Sequence, residues 1–315
     1  MVAYIFRRIL ATIPVLAVVA IFVFLLLHLT PGDPATVIAG DYASPEDVER
    51  IRERLGLNKP LHIQFFGWTE RLIHGDLGTS IFSQLPVSHL IAQRIEPTIA
   101  LALTTIIFAV TIAVPLGVLA AWKSGTWIDR SVMIFAVLGF SVPIFVIAYS
   151  MIWGFSIKLH WFPVQGYKSI FKDGFIPFIK HITLPTIALG FFYIALIARI
   201  TRATVIEILS EDYIRTAYAK GLIPKIVLFR HALKNASVPI VTIIGIAVGL
   251  LLGGVVVTES VFNIPGLGRL TVDSILRRDY PIIQGMMLFF SGIYVMINLL
   301  VDISYSFLDP KIKYQ

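Results

Sequence analysis

The stretch EDYIRTAYAKGLIPKIVLFRHALKNASVP, Glu211–Pro239, decides the reading of this chain. It is charged and polar, yet it lies between two runs apolar enough to sit in lipid, Ile182–Ile200 and Val238–Thr258. Ser210 stands where a helix N-cap is favoured, and Glu211 and Asp212 follow in the first turn, where the helix dipole favours acids. Lys220 falls in the last turn and Gly221 is the expected stop. The pattern predicts a helix of about ten residues, about 15 Å long. Leu209, Tyr213 and Ala217 recur at i, i+4 and i+8, and Ile214 and Tyr218 widen that face. A short, capped helix with an apolar and small face fits a groove on another protein. Pro224 opens a second helix, in which Ile226, Phe229 and Leu233 form one stripe and Arg230 and Lys234 another. That is the pattern of a helix lying among lipid headgroups, and Pro239 is expected to end it. Periodicity alone leaves open a plain amphipathic connector that meets only lipid.

The rest of the chain agrees with a membrane setting. It has 315 residues, 57% hydrophobic and 14% charged, with a mean hydropathy of +0.84. Soluble domains carry roughly 25% charged residues. A soluble core could not hide this much apolar surface. Six stretches are long enough to span about 30 Å of hydrocarbon: Ile9–Leu29, Thr98–Ala121, Val132–Ile157, Ile182–Ile200, Val238–Thr258 and Ile282–Leu308. The first begins like a secretory signal, behind Arg7 and Arg8, but its apolar run is too long and no small-x-small site follows in HLTPGDPA. It reads as a retained span. With both termini inside, short loops favour that orientation by 13 Lys and Arg to 7, once the long 30–97 segment is discounted. The loop 158–181, with four lysines expected outside, argues the other way. The net charge of +7 thus falls on the inner face, where anionic lipid suffices as partner and nucleic acid is not needed. There is no Cys, which excludes disulfides and thiolate metal sites.

The expected organisation is an N-terminal transmembrane helix (1–30), an extracytoplasmic helical insert (31–97), a five-helix core (98–308) containing the loop 201–237, and a cytoplasmic tail (309–315). Within the insert, Ser44 and Pro45 open a helix that Gly56 closes, and Phe65, Phe66 and Trp68 suit interface depth. The insert is either a capping layer or a docking surface. Gly245, Gly249 and Gly253 recur every four residues and form a stripe for close helix packing. Beyond them, ESVFNIPGLGRL is dense in Gly and Pro. Glu259, Phe262, Pro265, Gly266 and Gly268 therefore belong to a plain turn or to an outer gate and docking element.

The spans also inform by what they lack. The second, third and fifth carry no interior Asp, Glu, Lys, Arg or His, the groups with which ion-coupled carriers do their coupling. That weighs against a self-sufficient carrier or channel. The seven His are scattered, which weighs against a membrane-embedded enzyme. No GxxxxGK[ST] loop is present, so any ATP must be brought by another polypeptide.

The 211–239 stretch resembles the cytoplasmic coupling motif of binding-protein-dependent ABC importer permeases. FRRILATIPVLAVVAIFVFLLLHLTPGDPA, LGLNKPLHIQFFGW, HGDLGTSIF, VVVTESVFNIPGLGRLTVDSILRRDYPIIQG and NLLVDISYSFLDPKIKY are similar to the B-type permease of the dipeptide, oligopeptide and nickel group. The resemblance covers essentially the whole chain. One departure is Tyr218, where that motif often has Arg. The resemblance implies an all-α polytopic protein of about six transmembrane helices with the type I ABC importer permease fold, in the inner cell membrane. It implies that Glu211, Asp212, Tyr213, Thr216, Ala217, Ala219, Lys220 and Gly221 form the helix that docks on an ATPase. It further implies a homologous C-type permease, two ATPase subunits carrying ATP and Mg, and an extracytoplasmic substrate-binding protein. No cofactor or metal is expected on this chain, and the cargo is expected to be peptides, with nickel chelates and oligosaccharides open.

Overall fold

The computed structural model describes residues 2–29, 35–36 and 44–308. The tail 309–315 and residues 30–34 and 37–43, which include most of HLTPGDPA, lie outside the described residues. Every regular element among those described is helical: α1 (Val2–Leu29), α2 (Pro45–Leu55), α3 (Leu61–Ile73), α4 (Val87–Trp122), α5 (Trp127–Ser141), α6 (Ile144–Lys158), α7 (Phe175–Leu209), α8 (Asp212–Ala219), α9 (Pro224–Val261), α10 (Leu267–Arg277) and α11 (Tyr280–Leu308). Four of them, α4, α7, α9 and α11, are long and apolar enough to cross a membrane. The pair α5–α6 is a fifth crossing if its halves form one, and Leu10–Leu26 of α1 is a shorter apolar helix.

Two compact units make up the chain, one from residues 96–269 and 296–315, the other from 2–95 and 270–295. In the first, α7 is the central post. Leu189, Tyr193, Ile194 and Ile197 are buried among Leu101 and Ala109 of α4, Ala148 of α6 and Leu251 and Val255 of α9. Gly139 of α5 lets that helix press onto α7, since a Cβ there would meet the Cβ of Ala195 at 2.6 Å.

The third expected span, Val132–Ile157, is not one straight helix. It breaks between α5 and α6, which meet at 99°. Val142 is extended, at φ −96° and ψ 120°. Pro143 forces that geometry on its predecessor and has no N–H to continue the ladder. The expectation for Pro239 fails in the opposite sense, because Pro239 sits inside α9. Ala236 and Ile240, on either side of it, are buried with Val118, Val205 and Leu228. That packing carries the helix through the missing hydrogen bond.

In the second unit, Phe24 of α1 packs on Phe65 and Trp68 of α3, at ring separations of 5.3 and 5.7 Å. Phe66 instead faces outward. Gly56, at φ +68°, ends α2 as expected. The buried carboxylate of Asp279 accepts the Ser80 hydroxyl at 2.6 Å and the Ile81 N–H at 3.2 Å, fastening the 80–81 turn to the head of α11.

Candidate coupling elbow and buried carboxyl node

The loop after α7 folds as a rigid elbow. Ser210 does not cap α8. Its hydroxyl bonds back to the Glu207 carbonyl at 2.6 Å and closes α7. Glu211 takes the N-cap position, at φ −68° and ψ 148°, and its carbonyl accepts the N–H groups of Ile214 and Arg215. The helix is therefore eight residues long. At its far end the Gly221 N–H bonds the Tyr218 carbonyl at 2.9 Å, and the Leu222 N–H reaches Ala217 at 3.3 Å. This pair of bonds around a left-handed residue is the Schellman stop, and Gly221 supplies it at φ +80°.

The two sides of α8 differ. Ile214 and Ala217 are buried against Val227 and Ala232 of α9, with Ile208, Leu209 and Leu222 alongside. Tyr213 accepts a hydrogen bond from Asn235 of α9 at 2.7 Å. Glu211, Asp212, Tyr213, Arg215, Thr216, Tyr218, Ala219, Lys220 and Gly221 are exposed. Of the eight residues assigned to coupling, only Ala217 faces inward, so it seats the helix on α9 rather than facing a groove. The expected face of Leu209, Tyr213 and Ala217 is thus split, with the tyrosines outside and the small residue inside. In the second helix of the loop, Ile226 and Phe229 are exposed, whereas Val227, Leu228 and Ala232 are buried within a π-helical turn, Val227–Ala232.

An ion pair that no local pattern reveals braces the same end of the molecule. Arg202, two turns before the elbow, forks onto Asp129 in the first turn of α5 through Nε and through Nη2, the latter at 2.7 Å. The Gly125 N–H adds a third bond at 2.9 Å. Asp129 is 4% exposed. Its partner sits 73 residues away, beyond the reach of any spacing rule. Asp129→Asn keeps the shape and removes the charge. It is expected to cost about 2 kcal/mol, below the range for a fully buried pair because water reaches Arg202. Thermal melting of the purified protein measures that loss.

At the opposite end of α9, about 50 Å along the helix, Glu259 is fully buried. It accepts the Thr98 hydroxyl at 2.6 Å and the Arg269 N–H at 3.0 Å, and also the Gly268 N–H. Thr98 in turn accepts the Leu267 N–H at 2.8 Å. Gly266 and Gly268 leave the room this requires, since a Cβ on Gly266 would overlap the carboxyl itself. Phe262 is buried, and its carbonyl takes the Gly166 N–H at 2.9 Å. Pro265 alone of the five assigned residues is exposed. Nearby, Tyr167 donates to Glu96 at 3.1 Å. Burial first, and that carboxylate second, raise the phenol well above its ordinary range.

The glycine stripe is used in part. A Cβ on Gly245 would overlap Val301 of α11, whereas Gly253 faces open space and Gly249 is half-buried. Gly254, outside the stripe, meets Leu189 and Tyr193 of α7. Among the described residues no cluster of three His, Asp or Glu side chains could hold a metal ion.

Residues 113–314 match the family model of the binding-protein-dependent transport system inner membrane component, and residues 1–102 match the N-terminal model of that membrane component. The chain belongs to this family. It is a multi-pass permease subunit of an ABC importer, a transporter component and not an enzyme. Such a subunit works with a second permease, ATPases and a substrate-binding protein. The chain is 55% identical over 311 residues to a probable peptide ABC transporter permease of Sinorhizobium fredii, covering 99% of both chains. It is 46% identical to a putative peptide transport system permease of Brucella abortus, covering all of both. It is 44% identical, again over the full length of both, to the glutathione transport system permease GsiC of Salmonella typhi. A chain of the inward-facing MetNI methionine ABC transporter matches the fold with a TM-score of 0.59 at 17% identity, over 70% of this chain and 97% of that one. Family membership sets aside the carrier, channel and membrane-enzyme readings.

Proposed function

We propose that this chain forms half of the pore of a peptide importer and that α8 is its joint with an ATPase subunit. The observation that carries this reading is the elbow. The elbow exposes Glu211, Asp212, Tyr213, Tyr218 and Lys220, yet α8 is held to α9 by the packing of Ile214 and Ala217 and by the Tyr213–Asn235 hydrogen bond. A displacement of α8 by two closing ATPases is therefore delivered to α7 and α9 together. α9 ends at the Glu259 node, so the same rigid helix joins the elbow to the proposed outer gate, formed by Glu259, Phe262, Pro265, Gly266 and Gly268. ATP and Mg belong to the ATPases. Unequal affinity of those ATPases for the two pore states is the coupling free energy.

The positive-inside bias supports cytoplasmic termini, with 31–97 and 259–281 outside, where a binding protein delivers cargo. A C-type permease completes the pore. The names of the relatives, two for peptides and one for glutathione, support a short-peptide cargo. Co-purification with neighbouring gene products, with residues 207–225 native or scrambled, tests the joint. ATPase subunits are expected only with the native loop, and retention by the scrambled loop overturns it. Uptake competition then separates peptides from nickel chelates and oligosaccharides.

A further inference from the structure

A cleft of about 230 Å³ opens in the unit formed by residues 2–95 and 270–295. Its walls include Ser80, Ser83, Arg94, Asp273, Arg277 and Asp279. Such a volume is below that of a drug-sized site, so it suits a headgroup rather than a whole ligand. Leu90 and Arg94 lie in the first turns of α4 and Ile282 in the first turn of α11, and both line the cleft. It therefore sits at one end of two membrane-crossing helices, the depth at which headgroups lie. Next to it Phe82, Ile275 and Leu276 are exposed, Leu276 by 78%. Apolar side chains beside a headgroup site sit at the headgroup–acyl boundary, within reach of the acyl chains.

The chemistry of the walls is mixed. Asp279 is buried beneath the 80–81 turn, whose hydroxyl and N–H it accepts. Arg278 holds a left-handed backbone, φ +57°, which ends α10 and turns the chain back so that Asp279 can do so. Arg277 and Arg278 are both exposed, but only Arg277 lines the cleft, with half-buried Arg94 in the same wall, and Asp273 stands one helical turn before Arg277 on α10. A cationic fork and a carboxylate one turn apart match a group carrying phosphate and ammonium together.

We propose that this cleft binds the headgroup of a zwitterionic aminophospholipid, with phosphate on Arg277, ammonium toward Asp273, and an acyl chain along Phe82 and Leu276. The mixed charge favours this over a purely anionic lipid, and the apolar rim favours it over a soluble phosphate ester.

Native mass spectrometry of the full chain tests the assignment, after reconstitution with phosphatidylethanolamine, phosphatidylglycerol or phosphatidylcholine. Phosphatidylethanolamine is expected to survive detergent washing best. Arg277→Gln is expected to weaken its retention about tenfold, the effect of one charge-assisted hydrogen bond. Asp273→Asn is expected to erase the preference over phosphatidylglycerol while retaining lipid. Equal retention of the three lipids, or no effect of Arg277→Gln in a variant with unchanged melting, overturns the proposal. So does competition by soluble glycerophosphoethanolamine as strong as by the lipid, because the apolar rim would then contribute nothing. Crosslinking of a photoreactive residue at Ser83 to the binding protein, with no lipid retained, would make the cleft a protein docking site instead.

Discussion

Gly221→Val is expected to cut uptake by at least about tenfold while leaving membrane insertion and protein level unchanged. The cause is backbone conformation, not space, since nothing lies within 4 Å of a Cβ placed there. At φ +80° a β-branched residue is strained by about 1–3 kcal/mol. α8 relieves that strain by giving up the turn, and with it the bonds from Gly221 to Tyr218 and from Leu222 to Ala217. Leu222 then leaves the cluster that seats α8 on α9, and the elbow no longer moves as one piece. ATP hydrolysis by the assembled complex is expected to continue while uptake falls by at least about tenfold, the result of more than about 1.4 kcal/mol lost from the coupling. Asn tolerates the left-handed region better than Ala, and Ala better than Val, so residual uptake should follow the order Gly, Asn, Ala, Val. Equal activity of the Ala and Val variants would place the effect elsewhere than in this turn. Uptake of a labelled short peptide, beside ATP turnover in the same vesicles, measures both quantities.

That the stop at Gly221 is legible from sequence while the start is not has a physical reason. A glycine after a lysine-ended helix has few other uses, so the local signal is nearly sufficient. A serine between two helices is ambiguous, because its hydroxyl can cap the next helix or bond back to the last one. Here the bond to Glu207 wins and the N-cap moves to Glu211. Proline shows the same limit twice. Pro143 breaks a run that hydropathy reads as one span, because a window average does not register one missing N–H. Pro239 breaks nothing, because Ala236 and Ile240 are held by residues distant in the chain. The family motif marks α8, but not which of its sides is used internally. Ile214 and Ala217 are spent on Val227 and Ala232, and Asn235 is recruited from 22 residues away. Long-range polar partners left no local trace at all. Asp129 reads as an N-terminal acid of a helix, and Thr98 as the polar edge of a span.

Glu259→Ala is expected to be the most damaging single change in the chain. The carboxyl is an acceptor for three donors, from Thr98, Gly268 and Arg269. The Thr98 and Gly268 donors have no water to turn to, because Glu259, Thr98 and Gly268 are all buried, while Arg269 is half-buried. Removing the acceptor orphans two backbone N–H groups and a hydroxyl and leaves a void, for a combined cost of about 3–5 kcal/mol. Glu259→Gln is the informative contrast. Its amide oxygen can still receive the Gly268 and Arg269 N–H groups, while its NH₂ faces Thr98. Thr98 already accepts from Leu267, so it must rotate to accept a second bond and its own proton goes unpaired. The second amide N–H also lacks an acceptor, so the Gln variant should lie between wild type and Ala, with two unsatisfied donors and no void instead of three donors and a void. Gly266→Ala attacks the same arrangement from the other side, because its methyl occupies the space of the carboxyl, and it should resemble the Ala variant. Thermal melting in detergent ranks the three. If Glu259→Ala melts within a degree of wild type, the node does not hold the 259–269 segment in place. If all three destabilise in the expected order but uptake in Glu259→Gln falls no further than its stability loss explains, the node is structural and the gate lies elsewhere. A Gln variant that melts close to wild type and still fails to transport would place the charge of Glu259 itself in the opening of the pore.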